Sequence, residues 1–375
     1  MGTGRRVLIV GGGVAGLALG RALGRAGIAA EIVERVPTWS PAGAGIYIPA
    51  NGMRALHELG LAERLLPLGR VNTRRRYLTA EGATSFEIDL VDFWGDTGPC
   101  LGVTRAALHE VLLAGVEGVP VRLGTTIDTL KEDADGVNVV FSDASAERYD
   151  LVVGADGIHS WVRDMLPEQQ AVVRADLASA SWRFLVACPA GVDCWTLLAG
   201  PTAMLLLVPI GQGRAYCFAA LTPRQAATQR PELAQVRAAL RQFADPVPEV
   251  MRQLDEVDRP YYAPLEELRE PVWGHGRTVL IGDAAHGMSP AMAQGAALAV
   301  EDALVLAAQL RSQPDWTAMA ARMAALRDRR VTWVMRHTSR QARMINLPYP
   351  VRRRVLRLVG EKLWRRSFAP LRDPI

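Results

Sequence analysis

Cysteine is scarce in this sequence, and the four cysteines are not spaced for a disulfide framework or a metal site. Cys100, Cys188, Cys194 and Cys217 form no Cys-x-x-Cys pair and have no histidine at ligand spacing. No apolar run approaches the roughly 18 residues that a membrane span needs. No secretory signal precedes the first apolar segment. These absences predict a cytoplasmic protein with reduced thiols, no bound metal and no transmembrane segment.

The chain also has little excess of positive over negative charge, which argues against nucleic acid as a partner. The 43 basic and 39 acidic residues leave a net charge of +4. Lysine is nearly absent, since Lys131 and Lys362 are the only two in the chain. At 375 residues and 49% hydrophobic content, the chain can bury one large core or two linked ones.

Basic residues concentrate in the tail beyond residue 322. Within residues 351–363 the apolar positions share one face of a predicted helix: Val351, Val355, Leu358, Val359 and Leu363. The simplest interpretation buries that apolar face and leaves the basic residues in solvent. A membrane surface or an acidic partner is the alternative.

The first motif is a glycine-rich turn between a strand and a helix. Residues 6–10 predict a buried strand, and residues 11–16 supply a Gly-x-Gly-x-x-Gly turn into an Ala/Leu-rich helix. A second strand then ends in an acid placed to bind ribose hydroxyls, while a pyrophosphate rests on the helix N-terminus. The candidate cofactor-binding residues here are Gly11, Gly13, Ala15, Gly16, Glu34 and Arg35.

A second motif covers residues 279–296 and predicts a site for a flavin ring. An apolar strand ends at Gly282, and Asp283 can then accept a hydrogen bond from a ribityl hydroxyl. After Pro290 a helix begins, and the N–H groups of Gly295 and Ala296 can face the N1/C2-carbonyl edge of an isoalloxazine. The alternative is an ordinary strand, loop and helix crossing.

A third motif, beginning Gly154-Ala155-Asp156-Gly157, follows another apolar strand. With all three motifs in this order, the chain resembles the class A flavoprotein monooxygenases, the family of para-hydroxybenzoate and salicylate hydroxylases. The resemblance implies a non-covalent FAD, and it gives Asp156, Gly157 and Arg163 contacts with the FAD pyrophosphate or the nicotinamide cofactor. By the same resemblance Arg105 contacts FAD, and the loop at residues 43–46, including Gly45, lies beside the flavin ring.

The cofactor motifs are separated along the chain, so the predicted architecture is discontinuous. We expect an α/β fold with a Rossmann-like FAD-binding domain, an inserted β-sheet substrate domain and a helical C-terminal tail. Residues 1–71, 91–176 and 263–375 are assigned to the FAD-binding domain, and residues 72–90 and 177–262 to the substrate domain. Residues 223–254 are predicted to be helical, with Leu233, Val236, Leu240 and Phe243 spaced for one face.

The resemblance also implies the reaction. NADPH or NADH reduces FAD, O2 forms a flavin C4a-hydroperoxide, and an aromatic or enol-like small molecule is hydroxylated. The reaction requires no protein nucleophile, so no catalytic protein residue is assigned. Trp182, Arg183 and Tyr216 are the leading substrate candidates, because an indole can wall a pocket and a guanidinium can hold an anionic oxygen. The three consecutive arginines at residues 74–76 are weaker candidates, and one of them must face opposite to its neighbours.

The chain departs from the family pattern at two positions near the flavin. Ala293 replaces a usual glycine, and Ala297 replaces a frequent asparagine. FAD should still bind, but the Cβ of Ala293 can restrict flavin movement. Three alternatives stay open: a flavin-dependent epoxidase, a non-catalytic flavin-binding protein, and a halogenase. The last is disfavoured because neither lysine is suitably placed to carry hypohalous acid. The oligomeric state is left open.

Overall fold

The structure is a computed structural model that describes residues 4–39, 43–167, 171–175, 177–178, 180–222, 232–257 and 260–375. Its strands are β1 (Arg6–Val10), β2 (Ala29–Glu34), β3 (Gly45–Ile48), β4 (Arg70–Val71), β5 (Arg74–Thr79), β6 (Thr84–Asp89), β7 (Leu101–Thr104), β8 (Val121–Leu123), β9 (Ile127–Asp133), β10 (Gly136–Phe141), β11 (Ala146–Tyr149), β12 (Leu151–Gly154), β13 (Val173–Arg174), β14 (Ala180–Ala187), β15 (Trp195–Ala199), β16 (Ala203–Pro209), β17 (Arg214–Leu221), β18 (Tyr261–Pro264), β19 (Glu266–Glu267), β20 (Gly274–His275) and β21 (Thr278–Leu280). Its helices are α1 (Val14–Ala26), α2 (Ala50–Glu58), α3 (Ala62–Leu65), α4 (Leu90–Trp94), α5 (Arg105–Gly115), α6 (Trp161–Asp164), α7 (Leu233–Leu240), α8 (Val247–Glu256), α9 (Asp283–His286), α10 (Gly295–Ser312), α11 (Met319–Ile345) and α12 (Tyr349–Phe368).

A six-stranded sheet of order β20-β21-β12-β1-β2-β8 forms the first layer. β1 pairs in parallel with both β2 and β12, and β12 pairs in parallel with β21. Residues 7–10 of β1 are all buried, as expected for a central strand covered by helices on both faces. Because the carboxyl ends of parallel strands lie at one edge, the three motifs that follow β1, β12 and β21 meet there. The predicted Rossmann-like fold is confirmed.

A seven-stranded sheet of order β18-β14-β17-β16-β15-β5-β6 forms the second layer. It joins two separate parts of the chain, because β5 pairs in parallel with β15. One face of this sheet, with Trp195, Tyr216 and Phe218, packs into the core shared with the first sheet. The other face, with Trp182 and Phe184, forms a second core with α7 and α8. The division into domains at the boundaries given above stays a prediction.

The described part of residues 223–254 is helical, as predicted, but it forms two helices. Residues 223–231 lie outside the described part of the chain, and the rest forms α7 and α8 with a break between them. Pro246 and Pro248 lie at the start of α8, where a missing N–H is tolerated but where a continuous helix would be interrupted. Phe243 lies in the break, yet it is buried with Val236 and Leu240 in the second core.

The prediction that α12 buries its aliphatic face is wrong. The buried positions are Arg352, Gly360, Trp364, Ser367 and Phe368. Arg352 donates hydrogen bonds to the carbonyl oxygens of Ile345 and Gly200. A Cβ on Gly360 would lie 2.5 Å from the ring of Phe86, so this helix face approaches β6 closely. Aromatic stacking and carbonyl capture therefore orient α12, and its aliphatic residues face outward.

Among the described residues, no helix combines the length and the apolar character that a membrane span requires. The four cysteines are free thiols.

Candidate active site

The turn after β1 brings two motifs into contact. Gly11 has φ +109°, and a Cβ on it would lie 2.5 Å from the carbonyl oxygen of Ala155. A Cβ on Gly16 would lie 1.9 Å from the carbonyl oxygen of Gly11. Glycine is required at both positions, because a side chain on Gly11 would collide with the turn after β12, and a side chain on Gly16 would push α1 away from β1. A Cβ on Gly13 would meet no atom within 4 Å, so the outer side of the turn is open.

The N-termini of α1 and α10 both open at this edge of the sheet. Neither helix has a capping side chain, and neither has an acid in its first turn. Their first N–H groups and their dipoles therefore favour an anionic ligand. Ala15 brings the first turn of α1 against the segment after β21, because its Cβ lies 2.8 Å from the position that a Cβ would take on Gly282.

Glu34 lies beside the glycine turn at the end of β2. Its Oε2 accepts a hydrogen bond from the backbone N–H of Gly12 at 2.7 Å, and its Oε1 accepts one from Val36 at 3.1 Å. The remaining lone pairs can receive two ribose hydroxyls. Arg35 is exposed and forms no hydrogen bond or ion pair with the described residues, so its predicted contact with the cofactor stays a prediction.

Two aromatic residues that the sequence analysis missed lie at the same turn. A Cβ on Gly12 would lie 2.5 Å from the ring of Trp39. The ring centroids of Trp39 and His109 are 5.0 Å apart, and burial lowers the pKa of His109. These rings form an apolar wall on the side where Glu34 would hold the ribose. A lone Trp in a turn gives no sequence signal for this role.

Asp156 shapes the turn after β12. Its Oδ1 accepts a hydrogen bond from Ser160 Oγ at 2.5 Å, and its Oδ2 accepts one from the N–H of Val162 at 3.1 Å. Burial raises the pKa of this carboxyl group. Gly157 has φ +86°, and a Cβ on it would meet nothing within 4 Å. The carboxylate therefore orders the turn, and the open side of the turn lies at Gly157.

Arg163 has a different position from the one that its predicted cofactor contact requires. The side chain is buried, and its guanidinium donates to the carbonyl oxygens of Ala284 at 3.0 Å and Ile158 at 2.7 Å. It therefore fastens the turn after β12 to the segment after β21. We infer a structural role for Arg163, because its charged group is used internally.

Asp283 is exposed at the start of α9, three residues after β21, and it forms no ion pair with the described residues. Its Oδ1 lies 3.6 Å from the position that a Cβ would take on Gly295. Pro290 is exposed, whereas Gly295 and Ala296 are half-buried at the start of α10. A free carboxylate thus lies beside an open helix N-terminus, which is the arrangement predicted for the ribityl chain and the flavin edge.

The two departures from the family pattern have clear structural contexts. Ala293 has φ +54°, in the left-handed region that favours glycine. Ala297 is buried where α10 crosses α2, and its Cβ lies 2.9 Å from the position that a Cβ would take on Gly52. The chain therefore accepts backbone strain at residue 293, and it uses a small residue at 297 to bring two helices together.

Tyr216 connects the predicted flavin loop to the second sheet. A Cβ on Gly45 would lie 2.6 Å from the Cβ and Cγ atoms of Tyr216. Burial raises the pKa of Tyr216, and the positive charges of Arg183 and Arg105 lower it to a smaller extent. Arg183 lies two residues before Leu185, the register partner of Tyr216, and therefore shares its face of the sheet. The Tyr216 hydroxyl forms no hydrogen bond within the described chain. A buried phenol with a free hydroxyl, on the same face of the sheet as Arg183, is suited to a polar ligand group.

Arg183 and Trp182 lie on opposite faces of β14. Arg183 pairs in register with Phe218 and donates through Nε to Ser181 Oγ at 3.2 Å. Within the described residues no carboxylate pairs with it. Trp182 instead packs edge-on against Tyr262, with ring centroids 5.1 Å apart, in the second core. Trp182 therefore does not wall the flavin side of the sheet, because successive side chains on a strand alternate between faces.

The same alternation separates the three consecutive arginines of β5. Arg74 and Arg76 both form ion pairs with Glu87 and Asp193. Arg75 faces the other way, is 1% exposed, and stacks 3.8 Å from the ring centroid of Trp195. Four further rings lie within 6.0 Å of its guanidinium carbon: Tyr47, Tyr77, Trp364 and Phe368. Arg75 is the one of the three on the Tyr216 face of the sheet.

Comparison with known proteins identifies the family. The sequence profile of a family described as an FAD binding domain matches residues 5–340. The chain belongs to this FAD-binding family. Over 341 residues it is 34% identical to an aurachin C monooxygenase/isomerase from Stigmatella aurantiaca and 31% identical to an FAD-dependent urate hydroxylase from Klebsiella pneumoniae. Each alignment covers 87% of this chain and 86% of the relative.

Comparison with solved structures leads to the same family. The Klebsiella pneumoniae protein HpxO, complexed with FAD and uric acid, superposes with a TM-score of 0.87 at 25% identity, covering 99% of this chain and 97% of HpxO. The predicted resemblance to class A flavoprotein monooxygenases is therefore confirmed, and so is FAD as the cofactor. The relatives are named as a monooxygenase/isomerase and an FAD-dependent hydroxylase, and this chain is an FAD-dependent monooxygenase.

The residues of the site fit FAD. The open sides of the turns at Gly13 and Gly157 leave room for a ligand at the edge of the first sheet. Glu34 would bind the ribose, and the first turn of α1 would bind the pyrophosphate. Asp283 would bind the ribityl chain. The first turn of α10 would face the pyrimidine edge of the flavin. The Arg105 side chain packs against the loop that would adjoin the flavin ring, because a Cβ on Gly43 would lie 2.7 Å from the Cδ of Arg105.

A buried cluster of charged residues lies behind Gly282, and the sequence analysis did not predict it. Asp302 accepts hydrogen bonds from the N–H of Gly282 at 3.1 Å, His286 Nε2 at 2.6 Å and Arg327 Nε at 2.8 Å. Burial alone raises the pKa of Asp302, but His286 and Arg327 outweigh it and lower that pKa to about 2. Asp302 is therefore a carboxylate, and by accepting these hydrogen bonds it holds in place the segment that carries Asp283.

Glu301 extends the cluster to α2 and the start of α10. It pairs with Arg327 at 2.9 Å and Arg330 at 2.9 Å, and it accepts a hydrogen bond from Asn51 Nδ2 at 3.0 Å. Asn51 and Gln294, the residue before α10, exchange hydrogen bonds through their side-chain amides. The sequence signal for this cluster was the pair Glu301-Asp302 inside an otherwise apolar helix, since buried acids require partners.

Proposed function

We propose that the enzyme hydroxylates a planar aromatic or enol-like small molecule, with NADPH or NADH as the reductant and O2 as the oxygen source. One oxygen atom enters a C–H bond of the substrate and the other leaves as water. NAD(P)H and one proton supply the two electrons and two hydrogens of that water. Bound FAD supplies the redox chemistry. The residues of this chain bind and orient the reactants and keep water away from them.

The unpartnered hydroxyl of Tyr216 beside Gly45 carries this proposal. Burial raises the pKa of Tyr216, so the phenol stays protonated at neutral pH and can donate a hydrogen bond. Arg183 has no carboxylate partner among the described residues and can stabilise a negative oxygen. Together they would hold an ionised hydroxyl or enol of the substrate. An aromatic ring that carries an anionic oxygen is electron-rich, which favours oxygen transfer to a neighbouring carbon.

The names of the relatives support a planar substrate. One relative is a urate hydroxylase, another is a 2-heptyl-3-hydroxy-4(1H)-quinolone synthase, and a third is a 3-amino-4-hydroxybenzoate 2-monooxygenase. We therefore propose purines, quinolones and aminohydroxybenzoates as the first compounds to test.

Oxygen incorporation under isotopically labelled O2 tests the proposal. FAD-loaded protein is mixed with NADPH or NADH and each compound, and the product mass is measured after one turnover. One labelled oxygen in a hydroxylated product supports the proposal. A labelled epoxide indicates the epoxidase, a halide-dependent product indicates a halogenase, and cofactor oxidation that no compound stimulates favours a non-catalytic flavin protein.

Two variants test the proposed roles of Arg183 and Tyr216. We expect Arg183→Gln and Tyr216→Phe to lose roughly tenfold or more in kcat/KM, because each removes a hydrogen bond to a charged group, about 1.5 to 3 kcal/mol. Tyr262→Phe on the opposite face of the sheet is the matched control, and its kcat/KM should stay unchanged. If Arg183→Gln and Tyr216→Phe behave like this control, the substrate does not bind at Tyr216.

A further inference from the structure

α12 exposes an aliphatic surface that the fold leaves uncovered. This outer face consists of Val351, Val355, Leu358, Val359 and Leu363. Leu358 is 71% exposed, Val351 49%, Val359 40% and Leu363 39%. Val351, Val355 and Leu358 follow one another at four- and three-residue steps, so they share one side of the helix. The opposite side, around Gly360 and Trp364, is already packed against the protein.

Cations surround and interrupt this outer face. Within Tyr349–Phe368 the helix carries seven basic residues and a single acid, Glu361. That local excess is larger than the net charge of +4 of the whole chain. Lys362 lies seven residues after Val355 and four after Leu358, in line with the aliphatic residues. Within the described chain, Arg354, Arg357 and Lys362 form no ion pair, so their charges remain available to a partner.

We propose that α12 binds the surface of an anionic phospholipid bilayer, with its helix axis in the plane of the interface. Aliphatic residues at this spacing can enter the headgroup boundary, while long basic side chains extend along the helix and reach the phosphates. The helix has 20 residues and extends about 30 Å at 1.5 Å per residue. A second copy of this chain is disfavoured as the partner, because two such faces would bring like charges together.

Co-sedimentation with vesicles tests the proposal on the FAD-loaded protein. We expect binding to vesicles of equimolar phosphatidylcholine and phosphatidylglycerol, at least tenfold weaker binding to pure phosphatidylcholine, and loss of binding in high salt. Leu358→Glu should weaken binding about tenfold or more, because it introduces an acid at the centre of the outer face. Arg354→Glu combined with Arg357→Glu should have a similar effect.

Leu68→Glu is the matched control, since Leu68 is 44% exposed on a different surface. This variant should bind the anionic vesicles as the wild type does. The flavin absorbance and thermal midpoint of all variants should stay unchanged, because the altered side chains are exposed. No binding to anionic vesicles, or equal binding by Leu358→Glu and the wild type, overturns the proposal. So does a wild-type dimer that Leu358→Glu converts to a monomer in light scattering, because the outer face would then be a protein interface.

Discussion

Asp302→Asn tests whether the ion cluster behind the flavin loop stabilises the fold and the site together. Asp302 is fully buried, and its oxygens accept hydrogen bonds from Gly282, His286 and Arg327. Asparagine has the same shape but only one acceptor oxygen, so its amide nitrogen must face a donor. The substitution also leaves Arg327 buried with Glu301 as its remaining carboxylate partner.

The expected loss in the free energy of unfolding is about 3 kcal/mol at neutral pH. Removing one partner of a buried ion pair lowers the free energy of unfolding by about 3 to 5 kcal/mol. The fall in the pKa of Asp302 from 3.8 to about 2 gives a consistent lower value of about 2 kcal/mol. Because the folded-state pKa lies below the unfolded one, this stabilisation is present above about pH 4. It is lost as the pH falls through about 2.

Urea unfolding of the FAD-loaded enzyme, followed by circular dichroism at several pH values, measures this difference. Asp92→Asn is the control, because Asp92 is 67% exposed and pairs with Arg365 at the surface. That variant should lose less than about 1 kcal/mol. We also expect Asp302→Asn to weaken FAD binding, since Gly282 precedes Asp283. If Asp302→Asn loses no more than the control at neutral pH, or if its loss persists unchanged near pH 2, the ionised carboxylate does not carry the stability.

Asp283→Ala should reduce FAD affinity by about tenfold or more with an unchanged fold, because it removes a hydrogen-bonding charge worth about 1.5 to 3 kcal/mol; equilibrium dialysis with FAD measures it, and an unchanged affinity would make Asp283 a bystander. Ala293→Gly should raise stability or leave it unchanged, because glycine relieves a left-handed strain of about 1 to 2 kcal/mol but adds unfolded-state entropy; a clear loss in thermal melting would contradict this. Arg75→Met should change the free energy of unfolding by less than about 1 kcal/mol, because methionine preserves packing while a buried charge is removed. Arg327→Met should cost about 3 to 5 kcal/mol, because it strands buried carboxylates; equal losses in urea unfolding would refute the contrast.

The cofactor half of the site was legible in the sequence because its signals are local. Each motif combines a buried strand, a glycine that permits close backbone contact and a polar residue directly after it, as at Gly11, Asp156 and Asp283. Parallel pairing then brings the strand ends together without further information. The role of Arg163 was the exception, because burial depends on the segment around Ala284, more than a hundred residues away.

The substrate half was not legible, because the second sheet is covered on both faces. A strand such as β14 then lacks the alternation of polar and apolar residues that would indicate which side is inside. Trp182 and Arg183 were therefore indistinguishable as candidates until the register with β17 was known. The predicted orientation of α12 was wrong for a related reason. The close approach at Gly360 and the stacking of aromatic rings determine which side of the helix is buried, and the aliphatic residues do not.

The ion cluster also explains how a buried group of charges can support a site without competing with it. Glu301 and Asp302 bring two negative charges close to the first turns of α10, and Arg327 and Arg330 bring two positive ones. Because Arg327 and Arg330 compensate these two carboxylates, the cluster holds Gly282 and Gln294 in place without adding net negative charge behind α10. The N–H groups and the dipole at the start of α10 then remain the main source of positive potential at the flavin edge. A cluster with one arginine fewer would place uncompensated negative charge behind that helix end and oppose the negative charge that a reduced flavin carries.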